Sequence, residues 1–214
     1  MLAIATLSQH TLAGLELLGT AAFALAGVWA AMRKNMDMVG IGVCGFLAAF
    51  GGGTLRDILM DRRPFFWVEH QSVLIGIFLL CVACASFFRP THLERSQQWM
   101  QLPDAMGLGL FCATGIHLSW VQEQPAVVCI MMGVITATFG GVLRDIACND
   151  IPQLFSDHRP YAVCAFVGGI LYALLRHTVD DAWVAVWVCA LVTTGLRVLS
   201  LWRNWKLPAI RHPE

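Results

Sequence analysis

The stretch FGGGTLRDIL runs from Phe50 to Leu59, and eighty-eight residues later TFGGVLRDIA runs from Thr138 to Ala147. Each copy sets adjacent glycines, then an arginine and an aspartate, into otherwise apolar sequence. The same offset carries further in both directions without a gap. Gly19, Phe23, Gly27 and Gly45 match Gly107, Phe111, Gly115 and Gly133, and Glu16 matches Asp104 in charge. Beyond the motif, Pro64, His70 and Phe78 match Pro152, His158 and Phe166. Chance does not align this many glycines and charges at one spacing, so the chain is a duplicated unit.

What each unit contains follows from composition. Of 214 residues 57% are hydrophobic and 13% charged, whereas a soluble domain carries about a quarter charged residues. Apolar runs recur between short polar clusters, and a helix needs roughly 20 apolar residues to cross a bilayer. The pattern predicts seven helices at about 12–31, 39–59, 71–88, 103–120, 126–147, 160–176 and 182–202. The expected fold is therefore an all-α membrane protein, one integral membrane domain over 1–214. Repeat one covers about 12–88, repeat two about 103–176, and a seventh helix about 182–202. Three spans per unit is odd, so the second unit enters the membrane from the opposite side, and the repeats are inverted. Seven of the tryptophans fall near predicted helix ends, where an indole is half wet. The N-terminus lacks a basic region and reads as the first span rather than a signal peptide.

Lysine and arginine set the orientation. Arg33, Lys34, Arg89, Arg95, Arg159, Arg197, Arg203, Lys206 and Arg211 fall on one side, and Arg62, Arg63 and Arg176 on the other. Positive-inside bias places the C-terminus in the cytoplasm and the N-terminus outside. The protein is expected to be a multi-pass membrane protein among membrane lipids. Fourteen basic and fourteen acidic residues give zero net charge, and no basic block points to nucleic acid. Cys81 and Cys84 form a CxxC in mid-helix without a second ligand pair, which argues against a structural metal site. No cofactor and no catalytic constellation is expected, since Asp37, Asp150, Asp157 and His158 are loop residues without convergent spacing. The chain does not read as an enzyme.

The motif itself has two readings. Gly51, Gly52 and Gly53 in the second long span, and Gly140 and Gly141 in the fifth, weaken their helices. A break there frees carbonyls that must face protein or water, and matched breaks in two repeats mark a site. The alternative is close packing through small residues. Arg56, Asp57, Arg144 and Asp145 are costly in hydrocarbon. Neighbours on a helix point about 100° apart, so these pairs are expected to find partners on other helices or in water. Glu16 and Asp104 are the candidates, although first-turn acids also suit the helix dipole. Thr54, Thr136 and Thr138 flank the glycines as possible hydroxyl ligands, or bond back within their own helices. His70 and His158 read as interfacial or loop-ordering residues.

Two functions fit this chemistry. Freed carbonyls can replace water around a monovalent cation in a passive channel, although two arginines oppose it. An arginine fork with an aspartate also suits a zwitterion such as glycine in an alternating-access carrier.

The twin GG-x-x-R-D segments, set in two three-helix repeats plus a seventh helix, resemble the bacterial trimeric intracellular cation channel family. Related sequences are described as glycine transporters. The resemblance covers about 12–202 and favours the channel. It implies a homotrimer with a potassium-permeable pore in each subunit, shaped by kinked second and fifth helices. Carried over, the pore or ion-binding residues are Gly51, Gly52, Gly53, Thr54, Arg56, Asp57, Thr138, Gly140, Gly141, Arg144 and Asp145. Permeant K+ or Na+ would pass near the glycines. The second copy departs from the first, with Phe139 in place of Gly51 and Val142 in place of Thr54. The lysine-bearing second-helix motif of the animal members is absent, so lipid regulation through it does not transfer.

Overall fold

The computed structural model describes residues 2–87, 97–156, 159–179 and 181–208. Arg89, Arg95, Asp157, His158 and Arg211 lie outside them. The described residues form α1 (Leu2–Arg33), α2 (Met38–Leu59), α3 (Phe66–Glu69), α4 (Gln71–Phe87) and α5 (Gln97–Val121). They continue as α6 (Ala126–Ala147), α7 (Gln153–Ser156), α8 (Ala162–Thr178) and α9 (Ala182–Trp202). The all-helical reading holds. Among the described residues, four segments are long and apolar enough to cross a membrane: Thr11–Arg33, α2, α6 and α9. Two boundaries moved outward. α1 begins ahead of residue 12, and α5 begins at Gln97 and carries Pro103 inside it. The four-residue helices α3 and α7 were not expected, because they sit in the proline-bearing loops.

The duplication is visible in the backbone. After α1 and α5 the chain turns through left-handed residues, Asn35 (φ 52°) and Glu123 (φ 57°). After α2 and α6 it does so again, at Asp61 (φ 50°) and Asn149 (φ 54°). Both pairs are separated by the 88-residue offset. Packing repeats as well: α1 on α2, α2 on α4 and α1 on α4 recur as α5 on α6, α6 on α8 and α5 on α8. The units join through α2 against α6 and α1 against α5, while α9 covers α5 and α8.

The join depends on glycine, but not as a break. Both α2 and α6 run as uninterrupted helices through their glycines, and no glycine has a positive φ. The expected unwinding at Gly51–Gly53 and Gly140–Gly141 is corrected to close packing. A Cβ on Gly52 would overlap the carbonyl oxygen of Thr136, and a Cβ on Gly140 would overlap that of Ala48. Residues 48 and 136 are themselves repeat partners, so the crossing is reciprocal. The rings of Phe23 and Phe111, another partner pair, stack across the α1–α5 contact at 5.4 Å. Backbones can approach this closely only where neither carries a side chain, as in small-residue helix contacts in membranes.

The difference between packing and breaking is measurable. Gly52→Ala forces the α2–α6 backbones apart and should cost about 1–3 kcal/mol through overpacking. At Gly53 the nearest atom to an added Cβ is Arg56 Nη2, at 3.9 Å. Gly53→Ala should therefore be neutral or up to about 1 kcal/mol more stable, through helix propensity. Thermal unfolding in detergent checks both, and equal destabilisation would restore the broken-helix reading.

Candidate functional site

The crossing of α2 and α6 carries the motif's charges inward. Arg56 and Arg144 are both 0% exposed. In repeat one, Arg56 Nη1 lies 2.7 Å from Glu16 Oε1 on α1, and Nη2 lies 2.8 Å from Asp57 Oδ1. Arg56 Nε also donates to Asp57 Oδ1 at 2.9 Å. In repeat two, Arg144 Nη1 donates to Asp104 Oδ1 on α5 at 2.6 Å, and Nε donates to Asp145 Oδ1 at 2.8 Å. Glu16 and Asp104 are therefore the arginines' partners, as expected, rather than only helix-dipole acids. The expectation that adjacent Arg and Asp do not meet is corrected. The guanidinium is long enough to curl back to its neighbour while its other edge reaches the facing helix.

Each cluster closes at one end on the short helix that follows. In repeat two the backbone N–H of Gln153, opening α7, donates to Asp145 Oδ2 at 2.8 Å. In repeat one Trp67 of α3 donates its indole N–H to Thr54 Oγ1 at 3.2 Å. Asp57 Oδ2 is buried without a hydrogen-bond partner. Arg62 approaches instead, 3.7 Å from Asp57 Oδ1 and 3.9 Å from Glu16 Oε1. Its repeat partner is Asp150, which pairs with Lys34 at 2.6 Å and leaves its cluster altogether.

The two half-sites differ in space too. A cavity of about 10 Å³ lies beside Arg56, lined among others by Glu16, Thr20, Gly53, Thr54, Asp57 and Trp67. That is room for about one water. Around Arg144 the corresponding space is filled by Tyr161, Leu154 and Gln153. Tyr161 takes the position of Val73 in the first repeat. Its ring is covered by the Arg197 guanidinium of α9, 4.6 Å from the centroid. Arg197 also donates to the carbonyl of Pro160 at 3.1 Å. Arg197 is thus buried inside a helix and is not a loop charge.

Of the residues named from sequence, Glu16, Thr54, Arg56 and Asp57 come together in one cluster, and Asp104, Gly141, Arg144 and Asp145 in the other. Gly53 borders the first cavity. Gly52 and Gly140 serve the crossing, and a Cβ on Gly51 would meet Leu143 Cδ1 at 2.6 Å. Thr136 and Thr138 donate their hydroxyls back to Met132 and Val134 of their own helix, at 2.6 and 2.8 Å.

The sequence profile described as glycine transporter matches residues 14–89 and again residues 101–177. The chain belongs to the glycine transporter family. The two matched segments are the two repeats read from the 88-residue offset. The chain is similar to the inner membrane protein YadS of Escherichia coli K12, 33% identical over 94% of this chain and 96% of that protein. It is also similar to solved members of the trimeric intracellular cation channels. One TRIC cation channel is 30% identical with a TM-score of 0.83, covering 94% of this chain and 97% of that one. The orthologue from Rhodobacter sphaeroides is 28% identical with a TM-score of 0.84, covering 91% and 99%. The resemblance drawn from the doubled motif holds, and the protein is a multi-pass helical membrane protein of this family.

Sequence reasoning missed Arg62, Tyr161 and Arg197. Only the break in repeat symmetry at 62/150 and 73/161 hinted at the first two. For Arg197 the signal was a lone arginine set within an apolar run.

Removing one partner of a buried pair leaves its counter-charges unpaired, at a cost of about 3–5 kcal/mol. Arg144→Met should destabilise by that order and should strand Asp104 and Asp145. Adding Asp104→Asn should recover part of the loss. Thermal unfolding of the single and double variants in detergent reads the coupling, and additive losses would show that the pair does not interact.

Proposed function

We propose that the protein is a monovalent cation channel of the inner membrane, permeable to K+ or Na+, with its path beside the two arginine clusters. The observation that supports this most is their charge. Four buried carboxylates, Glu16, Asp57, Asp104 and Asp145, surround two buried arginines. Arg62 stands at the rim, 33% exposed, and Arg197 stands on the far side of the Tyr161 ring. Glu16 and Asp57 balance Arg56 with Arg62, while Asp104 and Asp145 exceed Arg144 by one, so the arginines do not leave the path net positive. The one excess carboxylate beside Arg144 calls for a counter-cation or a proton in a low-dielectric interior. Thr54 and the uncommitted Asp57 Oδ2 offer oxygen to a cation, and the cavity beside them has room for about one water-sized ion. Arg56 and Arg144 would act as gates whose ion pairs part as the path opens.

The wider arrangement belongs to the same proposal. Seven spans form two inverted three-helix repeats and a last helix, with a pseudo-two-fold axis in the membrane plane between Gly52 and Gly140. The reciprocal crossing and the repeated left-handed turns support that axis. By the positive-inside bias of the sequence, with Arg197 left out, the proposed orientation keeps the C-terminus in the cytoplasm. The solved relatives are described as trimeric channels, so a homotrimer in the lipid bilayer, each subunit with its own path, is the expected assembly. The solved relatives are described as cation channels and the matching profile as a glycine transporter, which supports a permeation role for this chain.

The family description favours a second reading, a carrier for glycine. The cavity beside Arg56 is too small for a glycine molecule, so this reading needs a larger rearrangement. Purified protein in a planar bilayer under a K+ gradient should give unitary currents that reverse near the K+ equilibrium potential. Asp57→Asn should lower cation conductance and move the reversal potential toward zero. Saturable uptake of labelled glycine without unitary currents would replace the channel with the carrier. Currents whose selectivity is untouched by Asp57→Asn would make the clusters staples only.

A further inference from the structure

At the end of the bundle where α1 turns into α2, three sulfurs gather from three elements. Cys44 Sγ on α2 lies 3.8 Å from Cys148 Sγ at the C-terminal end of α6. It also lies 3.7 Å from Met36 Sδ in the α1–α2 turn. Both thiols are free and buried, at 1% and 3% exposed, whereas Met36 is half-buried and opens to the rim. A metal held at the centre of three sulfurs, each about 2.3 Å away, needs sulfur–sulfur edges of about 4 Å. Both edges seen here are already close to that value. We propose that Met36, Cys44 and Cys148 form a binding site for one soft monovalent metal ion, Cu(I) or its analogue Ag(I).

The chemistry selects the ion. Two thiolates and a thioether favour a soft closed-shell cation over K+, Na+ or Mg2+. Among the described residues no three His, Cys, Asp or Glu side chains group as a metal site, and here the third donor is a thioether. On binding, the metal displaces one proton from each thiol to water, since a coordinated thiol is deprotonated. A cation with two thiolates and a neutral thioether leaves one net negative charge.

The surroundings hold the donors in place. Lys34, two residues before Met36, pairs with Asp150, two residues after Cys148, at 2.6 Å. That contact pins the turn over the end of α6. Asn35 turns the chain with φ 52°, and Asp37 caps α2 by accepting from Gly40 N at 2.8 Å. A Cβ on Gly40 would come within 2.9 Å of Met36 Cβ and 3.4 Å of Sδ. The missing side chain at Gly40 is what lets the thioether lie over the first turn of α2. The other close thiol pair, Cys112 and Cys189 at 3.9 Å, is fully buried. Its Cys112 thiol donates to the Ala165 carbonyl. A metal at Met36, Cys44 and Cys148 would tie repeat one to repeat two beside the Arg144 cluster, whatever the pore carries.

Full-length protein in detergent, fully reduced and freed of reductant, is titrated with Ag(I) and separately with Cu(I) against a chromophoric competitor. One equivalent per chain should bind, and X-ray absorption should report three sulfur neighbours at about 2.3 Å. Cys44→Ser, Cys44→Ala and Cys148→Ser each remove a direct ligand. Each should cost more than the roughly hundredfold that second-shell changes reach. Met36→Leu removes the third direct ligand, so it should weaken binding and lower the sulfur count to two. Cys112→Ser should bind as the unaltered chain does. Gel filtration and thermal unfolding without metal confirm that each variant is folded. The proposal is overturned if the unaltered chain binds no metal, if folded Cys44 variants bind as tightly, or if loss follows Cys112→Ser instead.

Discussion

An arginine side chain placed in a low-dielectric interior must be met by carboxylates, and this requirement organises the molecule. Arg56 and Arg144 are each 0% exposed. Each finds one acid next to it in sequence and one on the helix that opens its own repeat. The pairing of α2 with α1, and of α6 with α5, is thereby tied to charge as well as to apolar contact. The arginines reach the interior because Gly52 and Gly140 let α2 and α6 cross almost backbone to backbone. Bulkier residues there would separate the two clusters. Glycine and charge are therefore parts of one device: the close crossing creates the buried volume, and the ion pairs make it tolerable.

Duplication supplied two copies of that device, and divergence made them unequal. The first keeps Thr54, gains Arg62 at its mouth and retains a space of about 10 Å³. The second has Val142 and Tyr161, and Gln153 seals its aspartate. The position matching Arg62 has become Asp150, which turned away to Lys34. The tyrosine is in turn held by Arg197 of the ninth helix, which has no counterpart in repeat one. The last helix thus fixes the filled half-site while the other stays accessible.

Much of this was legible. The constant 88-residue offset depends only on residue identity, so the duplicated unit could be read directly, and Glu16 and Asp104 could be named as candidate partners of the arginines. Helix type was legible because hydrocarbon permits little else. What failed did so for physical reasons. Consecutive glycines lower helix propensity, but a helix surrounded by protein keeps its hydrogen bonds, and the glycines' lack of a side chain was used instead. The 100° rule for neighbouring residues holds for Cβ directions but not for a side chain as long as arginine's. The short helices α3 and α7 were hidden in loops, since four residues carry no periodicity.

By itself the sequence determined that the chain is a membrane-embedded helical duplication with charged residues inside each copy, because composition and a fixed spacing survive without coordinates. Only the tertiary structure decided that the glycines pack rather than break, that Tyr161 and Arg197 close one half-site, and that Cys148 shares one corner with the sulfurs of Met36 and Cys44. Those outcomes depend on which backbones approach within van der Waals reach. That distance is set by the whole packing of α2 against α6 and not by any local run of residues.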